Sequence, residues 1–516
     1  METRQPQLTT HMALLTMKTI LPRSEGKSRR ISPRRNFMKQ PRRILVIALT
    51  LFLASFSQAQ DLEPHLQKGL KTIRAMDAYH YVKKMVSPEF GGRYTGDEGY
   101  LAAANWAAKK FKEWGLEPMN KTVGYLQAFP APYTKVKEAE LTLMLQNGRS
   151  VTLTPEEDFL PMLPTDSGHH AAGAVFAGWG VHAPEMNYDD YHGLDVRGKY
   201  VLCIRGVPDP DNPAFKPHNE HRHRMKTAKE KGALGLFYIY EPHSNPNMDW
   251  IEGFTSVILS EKSADLLLEE KGFRVAELKQ TLLKYQRPIS FELAGKISYR
   301  VVSEFFPEGT GYNVVGIIEG SDSRLKTECI VIGGHYDHNG THLGILFPGA
   351  NDNASGSAAV VEIAEAFAHT GKRPKRSVVF VLFGGEEMGL KGSHFFVDHI
   401  PEQFSKVDAM YNLDMVGDGR KATGRATTQP PEFKKSIWDA DKHVRILGKF
   451  GDITGPGGGS DYRPFNDKGI PCAALMSDGP GLHYHRSADD IYNVNPDIMA
   501  EIAKLVYIAS YRWADR

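Results

Sequence analysis

Side chains that bind metals or transfer protons follow three separate apolar runs of this sequence. The first run leads into His335 and Asp337, the second into the pair Glu386 and Glu387, and the third into Asp414. In open α/β sheets ligands collect beyond the carboxyl ends of the strands, so we expect these side chains to meet at one sheet edge. Imidazole and carboxylate without thiolate form the donor set of a catalytic Zn²⁺ or a similar divalent ion.

Two further segments contribute to this set. Asp352 lies in a loop bounded by glycines, 349–356, and His485 follows Tyr484 near the C-terminus. Buried carboxylates cost on the order of several kcal/mol unless a positive charge neutralises them. No Lys or Arg directly adjoins the carboxylates of these motifs, whereas metal ions would supply the charge. The sequence therefore predicts a metal site.

The elements that must position these residues alternate between strand and helix from about residue 312 onward. The predicted strands are 328–333, 377–383, 409–413 and 470–476, and the clearest helix between them covers 356–369. Continuous apolar runs that alternate with helices are typical of the α/β class. We expect a mixed, largely parallel sheet flanked by helices.

The middle of the chain, about residues 127–300, has a different sequence pattern. Short β-like runs are separated there by clusters of Gly, Pro, Asn and Asp, a pattern typical of β-rich modules. We therefore predict that a β-rich domain is inserted into the α/β domain. The predicted ranges are 1–59 for a leader, 61–126 and 301–516 for the α/β domain, and 127–300 for the inserted domain.

The leader resembles an export signal. Arg42 and Arg43 precede an apolar run, 44–56, and the segment 57–59 then offers a small-x-small cleavage site. Met38 is the expected true start. Because the apolar run is short for a membrane span, we expect export to the periplasm or the outside without stable membrane insertion. An uncleaved N-terminal anchor is the alternative.

Charge argues against a nucleic-acid partner. Residues 1–59 hold 11 Lys/Arg and 2 Asp/Glu, which leaves 52 basic and 59 acidic residues in the rest of the chain. The basic character therefore belongs to the leader. The three cysteines lie inside apolar runs, so we expect buried thiols and neither a disulfide nor a thiolate metal site.

Five motifs, in this order, resemble those of the M28 metallopeptidases, the family of bacterial leucyl aminopeptidases and glutamate carboxypeptidase. They are His335-Tyr-Asp337, Gly349-Ala-Asn-Asp352-Asn-Ala-Ser-Gly356, Glu386-Glu387, Asn412-Leu-Asp414 and Tyr484-His485. The resemblance covers about 61–126 and 301–516, and it implies the zinc exopeptidase fold. Within 127–300, segments such as 178–184 and 195–202 resemble the protease-associated (PA) domain, which is often inserted in this family.

The resemblance implies a ligand set for two Zn²⁺ per chain. Asp352 would bridge the two ions. His335 and Asp414 would complete the protein ligands of one ion, and Glu387 and His485 those of the other.

The resemblance also implies three catalytic residues. Glu386 would be the general base that deprotonates a metal-bound water; the resulting hydroxide attacks the carbonyl, and the proton passes to the leaving amine. Asp337 would hold the second nitrogen of His335. Tyr484 would donate a hydrogen bond to the tetrahedral oxyanion.

Some assignments stay open at this stage. His483 is an alternative to His485, which we favour because its spacing to Asp490 fits the family. We expect His338 and His342 to lie in a loop at the pocket rim. The loop 458–465 resembles one that lines the substrate pocket, but it carries Tyr462 where the family often has His, so its role is open.

Together these features predict an exported dinuclear-zinc exopeptidase that acts on peptides or proteins. An aminopeptidase is the favoured activity. A carboxypeptidase or dipeptidase is the near rival, because the group that captures the chain end cannot be identified from the sequence. A glutaminyl cyclase with one zinc and a non-catalytic receptor are further alternatives, and the complete ligand set argues against both.

Overall fold

The structure is a computed structural model that describes residues 62–120 and 122–516. The predicted leader and its expected start at Met38 lie outside the described residues. Among the residues described, no helix combines the length and the apolar character that crossing a membrane requires.

One large mixed sheet contains the parallel core that the sequence predicts. In spatial order its strands are Glu117–Pro118, Thr310–Ile318, Ser377–Phe383, Glu328–His335, Lys406–Leu413, Cys472–Ser477, Ala422–Thr427 and Leu447–Ile453, and Leu126–Pro130 also pairs with Thr310–Ile318. The four strands from Ser377–Phe383 to Cys472–Ser477 run parallel. Their apolar side chains are buried on both faces, as expected for parallel strands. The predicted fold class is confirmed.

Helices cover both faces of this sheet. They are Pro64–Leu70, Ala75–Met85, Glu98–Glu113, Gly356–His369, Lys391–Asp398, Pro431–Val444, Tyr462–Asp467 and Pro496–Ala514. Alternation along one strand divides the core: Ile330 and Ile332 pack into the cluster that contains the C-terminal helix, while Val331 packs with Phe396 and Phe465 on the other face.

Residues 133–306, here called the insert, form a second sheet with its own hydrophobic cores. Its strands in spatial order are Ser150–Thr152, Tyr133–Met144, Ser290–Phe306, Gly168–Ala177, Tyr200–Ile204, Gly235–Ile239, Thr255–Leu259 and Phe159–Pro161. Three helices, His221–Glu230, Glu261–Leu268 and Val275–Tyr285, accompany it. The insert begins later than the expected residue 127 because Leu126–Pro130 pairs with the first sheet.

Two small hairpins complete the set of described strands. His182–Ala183 pairs with Tyr188–Asp189 in the insert, and Gly340–His342 pairs with Ile345–Phe347 just after the central strand of the first sheet.

The three cysteines are buried, as predicted, and none of them pairs with another. Burial raises the pKa of the Cys203 thiol to about 12, so this thiol stays protonated at neutral pH.

Glu362 is an exception to the apolar packing around the helix Gly356–His369. Its side chain is fully buried; Oε2 accepts a hydrogen bond from the backbone N–H of Arg74 at 3.0 Å, and Oε1 has no hydrogen-bond partner in the described part of the chain. Burial raises the pKa of the Glu362 carboxyl to about 8. The folded protein therefore retains a proton on Glu362 that the unfolded chain loses at lower pH.

This raised pKa predicts a pH-dependent loss of stability. A raised carboxyl pKa contributes stability below the unfolded value near 4.5, and that contribution is lost as pH rises toward about 8. The melting temperature of Glu362→Gln should therefore exceed that of the parent. The difference should grow from pH 5 to pH 8 and reach at least about 2 °C at pH 8. Glu432→Gln, at an exposed position, is the control. Parallel melting curves of Glu362→Gln and the parent at every pH would contradict the expectation.

Candidate metal centre

Three neighbouring parallel strands deliver candidate ligands to one edge of the first sheet. His335 is the last residue of the central strand, Glu328–His335. Asp414 directly follows the neighbouring strand, Lys406–Leu413. Glu386 and Glu387 follow the strand on the other side after two glycines. Because the strands are parallel, their carboxyl ends share one edge, as the sequence predicts.

Asp352 lies between two imidazoles. It belongs to the irregular turn Ala350–Ser355, which precedes the helix Gly356–His369. Its Oδ1 lies 3.4 Å from Nε2 of His335, and its Oδ2 lies 3.2 Å from Nε2 of His485. The two oxygens of one carboxylate thus face two separate groups of side chains.

The first group contains His335, Asp414 and Glu386. Nε2 of His335 lies 3.4 Å from Oδ1 of Asp414 and 4.0 Å from Oε2 of Glu386. One ligand atom from each of the three residues lies within 4.8 Å of the others.

The second group contains His485, Glu387 and His338, which was expected at the pocket rim. Oε2 of Glu387 lies 2.8 Å from Nε2 of His485, and Oε1 lies 2.8 Å from Nδ1 of His338. The expectation of rim positions for His338 and His342 is wrong, since both are buried. For His338, the signal available in the sequence was its position three residues after the candidate ligand His335.

These two groups fit divalent cations. Four buried atoms of the two groups, Nδ1 of His338, Oε1 of Glu387, Oδ1 of Asp414 and Nε2 of His485, make no well-formed hydrogen bond within the described residues. In the same part of the chain, no Lys or Arg comes within 4.0 Å of the site's carboxylates. Nitrogen and carboxylate oxygen donors without thiolate suit Zn²⁺.

The electrostatics of the site also favour added positive charge. Burial lowers the pKa of the His335 imidazole, yet the carboxylates of Glu386, Asp414 and Asp352 raise it well above the usual range. His485 behaves in the same way beside Glu387 and Asp352. These carboxylates favour the protonated, positively charged form of the imidazoles. A divalent ion would supply the same positive charge.

Asp337 supports the site through contacts that differ from the expected one. Nδ1 of His335 lies 3.2 Å from the backbone carbonyl oxygen of Asp337 and 3.7 Å from its Oδ1, so the carbonyl is the hydrogen-bond acceptor. The carboxylate instead accepts hydrogen bonds from the Thr95 hydroxyl at 3.2 Å and from the N–H groups of Glu386 at 3.2 Å and Glu387 at 3.3 Å. Asp337 therefore orients the Glu pair as well as His335.

Asp489 holds the turn that carries Asp352. Its Oδ1 accepts from the N–H of Asn351 at 2.9 Å, and its Oδ2 accepts from the N–H of Asp352 at 3.0 Å. The spacing of the sequence motif pointed to the neighbouring Asp490, whose carboxylate instead accepts from the N–H of Tyr492. The two adjacent carboxylates cannot be distinguished without the fold.

Asp461 is a second buried acidic residue, and it lies in the loop 458–465 that resembles a pocket-lining loop of the family. Burial raises its pKa to about 7, and both of its oxygens lack hydrogen-bond partners among the described residues. Burial also raises the pKa of Glu386, and Asp461 and Glu387 add to this effect. Glu386 is thus held in an acidic, largely enclosed environment.

Two cavities meet at Glu386, Glu387 and Tyr484. The sheet-edge cavity, of about 760 Å³, is also lined by His335, Asp352 and Asp414 and by the apolar side chains Met415, Tyr462, Leu475 and Met476. The insert-facing cavity, of about 570 Å³, has one wall from the insert, including Arg205, Arg222, Tyr240 and His243. Tyr484 is 49% exposed, and its ring stacks on His485 with centroids 3.8 Å apart.

Comparisons with known proteins support one family. Residues 313–509 match the model described as Peptidase family M28. An aminopeptidase of Pseudomonas aeruginosa is 30% identical over 515 aligned residues, which cover 90% of this chain and 82% of that protein. Aminopeptidase YwaD of Bacillus subtilis is 28% identical over 215 residues, and leupeptin-inactivating enzyme 1 of Streptomyces exfoliatus is 32% identical over 189. These two alignments span only 45% and 38% of the relatives' own length.

Solved structures share the fold at lower sequence identity. The aminopeptidase from Aneurinibacillus sp. strain AM-1 matches with a TM-score of 0.62 and 19% identity, over 87% of this chain and 95% of that chain. BSAP, a zinc aminopeptidase from Bacillus subtilis, matches with a TM-score of 0.59 and 21% identity, over 86% and 96%. Because the Pseudomonas relative is 30% identical and the alignment covers 82% of its length, the chain belongs to peptidase family M28.

Proposed function

We propose that this chain is a dinuclear zinc aminopeptidase. The observation that carries the proposal is the position of Asp352, whose two oxygens lie 3.4 and 3.2 Å from imidazoles of two separate ligand groups. A single ion would leave one group of buried carboxylates without a counter-charge. This arrangement argues against a one-zinc glutaminyl cyclase, and the complete ligand set argues against a non-catalytic receptor.

The ligands would be shared between two zinc ions. Asp352 would bridge them, with His335 and Asp414 on one ion and Glu387 and His485 on the other. Zinc, when bound, polarises a carbonyl group and makes a water molecule acidic near neutral pH. Nδ1 of His338, which faces the second oxygen of Glu387, would hold that carboxylate in place.

Glu386 would act as the general base. Both oxygens of Glu387 lie 2.8 Å from an imidazole, whereas Glu386 is 4.0 Å from the nearest one and lines both cavities. Glu386 can therefore face a water molecule at the reacting carbonyl, take its proton and pass it to the leaving amine. Tyr484, exposed where the two cavities meet, would donate its phenolic hydrogen to the oxyanion.

The sheet-edge cavity would receive the N-terminal residue of the substrate. It adjoins the ligand groups and has apolar side chains, Met415, Leu475 and Met476, that suit an apolar substrate side chain. The insert-facing cavity would then receive the residues that follow the cleaved bond. The relatives that are named aminopeptidases support this polarity.

A carboxypeptidase or dipeptidase is the second candidate, and one observation favours it. Arginines bind carboxylates through paired N–H donors, and the insert-facing cavity is lined by Arg205, Arg222 and Arg486. Arg222 pairs with Asp249 and Arg486 with Glu241. Arg205 lies over the ring of Tyr240, 4.4 Å from its centroid, where it could meet the free carboxylate of a short peptide.

A panel of blocked peptides separates the two polarities. For an aminopeptidase, acetylating the N-terminus of a leucyl tripeptide should lower kcat/KM at least about 100-fold, because the sheet-edge cavity then excludes the chain. Amidating the C-terminus should have a much smaller effect. The reverse pattern would establish the carboxypeptidase. A chelator should abolish hydrolysis of the free tripeptide, and added zinc should restore it.

Replacing the proposed base tests the mechanism. Glu386→Gln should lose at least about two orders of magnitude in kcat, because the amide cannot take the proton. Metal analysis should still find two zincs per chain, since Glu386 is not among the proposed ligands. Glu402→Gln, at an exposed position, should keep both properties of the parent. Near-normal turnover by Glu386→Gln would remove Glu386 as the base.

We also propose that the chain is exported and that the leader is removed. The support is the basic pair Arg42 and Arg43, the apolar run 44–56 and the small-x-small segment 57–59. Mass spectrometry of the exported protein should find a mature N-terminus close to residue 60. A mature N-terminus upstream of Met38 would overturn both the expected start and the cleavage site.

A further inference from the structure

The insert holds three successive residues of the segment that carries a proposed zinc ligand. His485, Arg486 and Ser487 belong to the loop between the last strand of the first sheet and the C-terminal helix. Ser244, Glu241 and Glu156, all in the insert, contact them in turn.

The contact at His485 is reciprocal. Nδ1 of His485 lies 2.8 Å from the carbonyl oxygen of Ser244, and the N–H of Ser244 donates to the carbonyl oxygen of His485 at 2.9 Å. Ser244 is buried, and the backbone of His485 has a left-handed φ of 57°. The carbonyl of Ser244 can accept only if Nδ1 carries the proton, which leaves Nε2, the nitrogen that faces Asp352 and Glu387, free to bind a metal.

The contact at Ser487 is bidentate. Oε1 of Glu156 accepts from the backbone N–H of Ser487 at 2.8 Å, and Oε2 accepts from its hydroxyl at 2.8 Å. Two hydrogen bonds to one carboxylate fix both its distance and its orientation. The next residue, Glu157, points away from this contact and pairs with Lys262 at 3.4 Å within the insert.

We propose that the insert is a structural part of the metal centre and that Glu156 is a positioning residue for His485. Groups that hydrogen-bond the second nitrogen of a ligating His set its tautomer and ring direction, and they affect metal affinity strongly. Glu156 acts on this arrangement indirectly, because it anchors the chain two residues beyond His485. The inference rests on the proposed zinc site.

The same segment continues to Asp489, which holds the turn of Asp352 through two backbone N–H groups. One loop thus carries a proposed ligand and also supports the proposed bridge. The insert restrains the part of this loop nearest His485, so loosening it should weaken the His485 side of the centre first.

Zinc release from the full, zinc-loaded chain tests this inference. After a chromophoric zinc chelator is added, Glu156→Ala should release one of the two zincs about 10- to 100-fold faster than the parent, the range expected for loss of an outer support. Glu156→Gln, which keeps one acceptor oxygen, should be intermediate. Glu157→Ala is the matched control and should release zinc at the parent rate.

The outcomes separate this inference from the proposed function. A parent chain that binds no zinc would overturn the proposed function itself. A parent that binds two zincs and a folded Glu156→Ala variant that releases both at the parent rate would overturn the role of Glu156. Equal acceleration of both zincs would also overturn it, because general loosening of the fold would produce that result. If Glu156→Ala does not fold, Ser487→Ala, which removes one hydrogen bond from the partner side, gives the same test.

Discussion

Charge balance at one edge of the large sheet is the constraint on which the rest of this structure depends. Asp352, Glu387 and Asp414 are brought together in a largely enclosed space where imidazoles are their nearest partners. Two like charges about 4 Å apart repel by roughly 4 kcal/mol near a protein surface. Such a cluster favours positive charge, which raises the pKa values of the His335 and His485 imidazoles and which the proposed zinc ions would also supply.

The surrounding contacts explain how this cluster keeps its shape. Asp337 accepts from the N–H groups of Glu386 and Glu387, and Asp489 accepts from the N–H groups of Asn351 and Asp352. In each case a buried carboxylate orients the backbone that carries a proposed catalytic or ligating side chain. The insert acts in a similar way on the C-terminal loop through Ser244 and Glu156. The sheet, the turn before the helix Gly356–His369 and the insert therefore all help to position the proposed ligands.

Most of the candidate site could be predicted from the sequence because it follows the ends of strands. An apolar run followed by His335, Glu386 or Asp414 indicates both a buried strand and the edge at which it ends. His338 and Asp461 were harder to place, since each lies in a loop whose direction is set by packing. For Asp337 the sequence predicted the right neighbour, His335, but the wrong atom, because the backbone carbonyl oxygen lies 3.2 Å from Nδ1 of His335 and the carboxylate oxygen Oδ1 lies 3.7 Å away.

The sequence by itself determined the fold class, the family motifs and the residue types available to bind metal, because strand periodicity and side-chain chemistry are local properties. Only the tertiary structure decided that the two oxygens of Asp352 face different imidazoles, that Asp489 and not Asp490 supports this turn, and that the insert contacts His485. These facts join residues far apart in the chain, such as Glu156 and Ser487. Contacts of this kind depend on how separate elements pack, and no local pattern in the sequence encodes the distance between residues that are far apart in the chain.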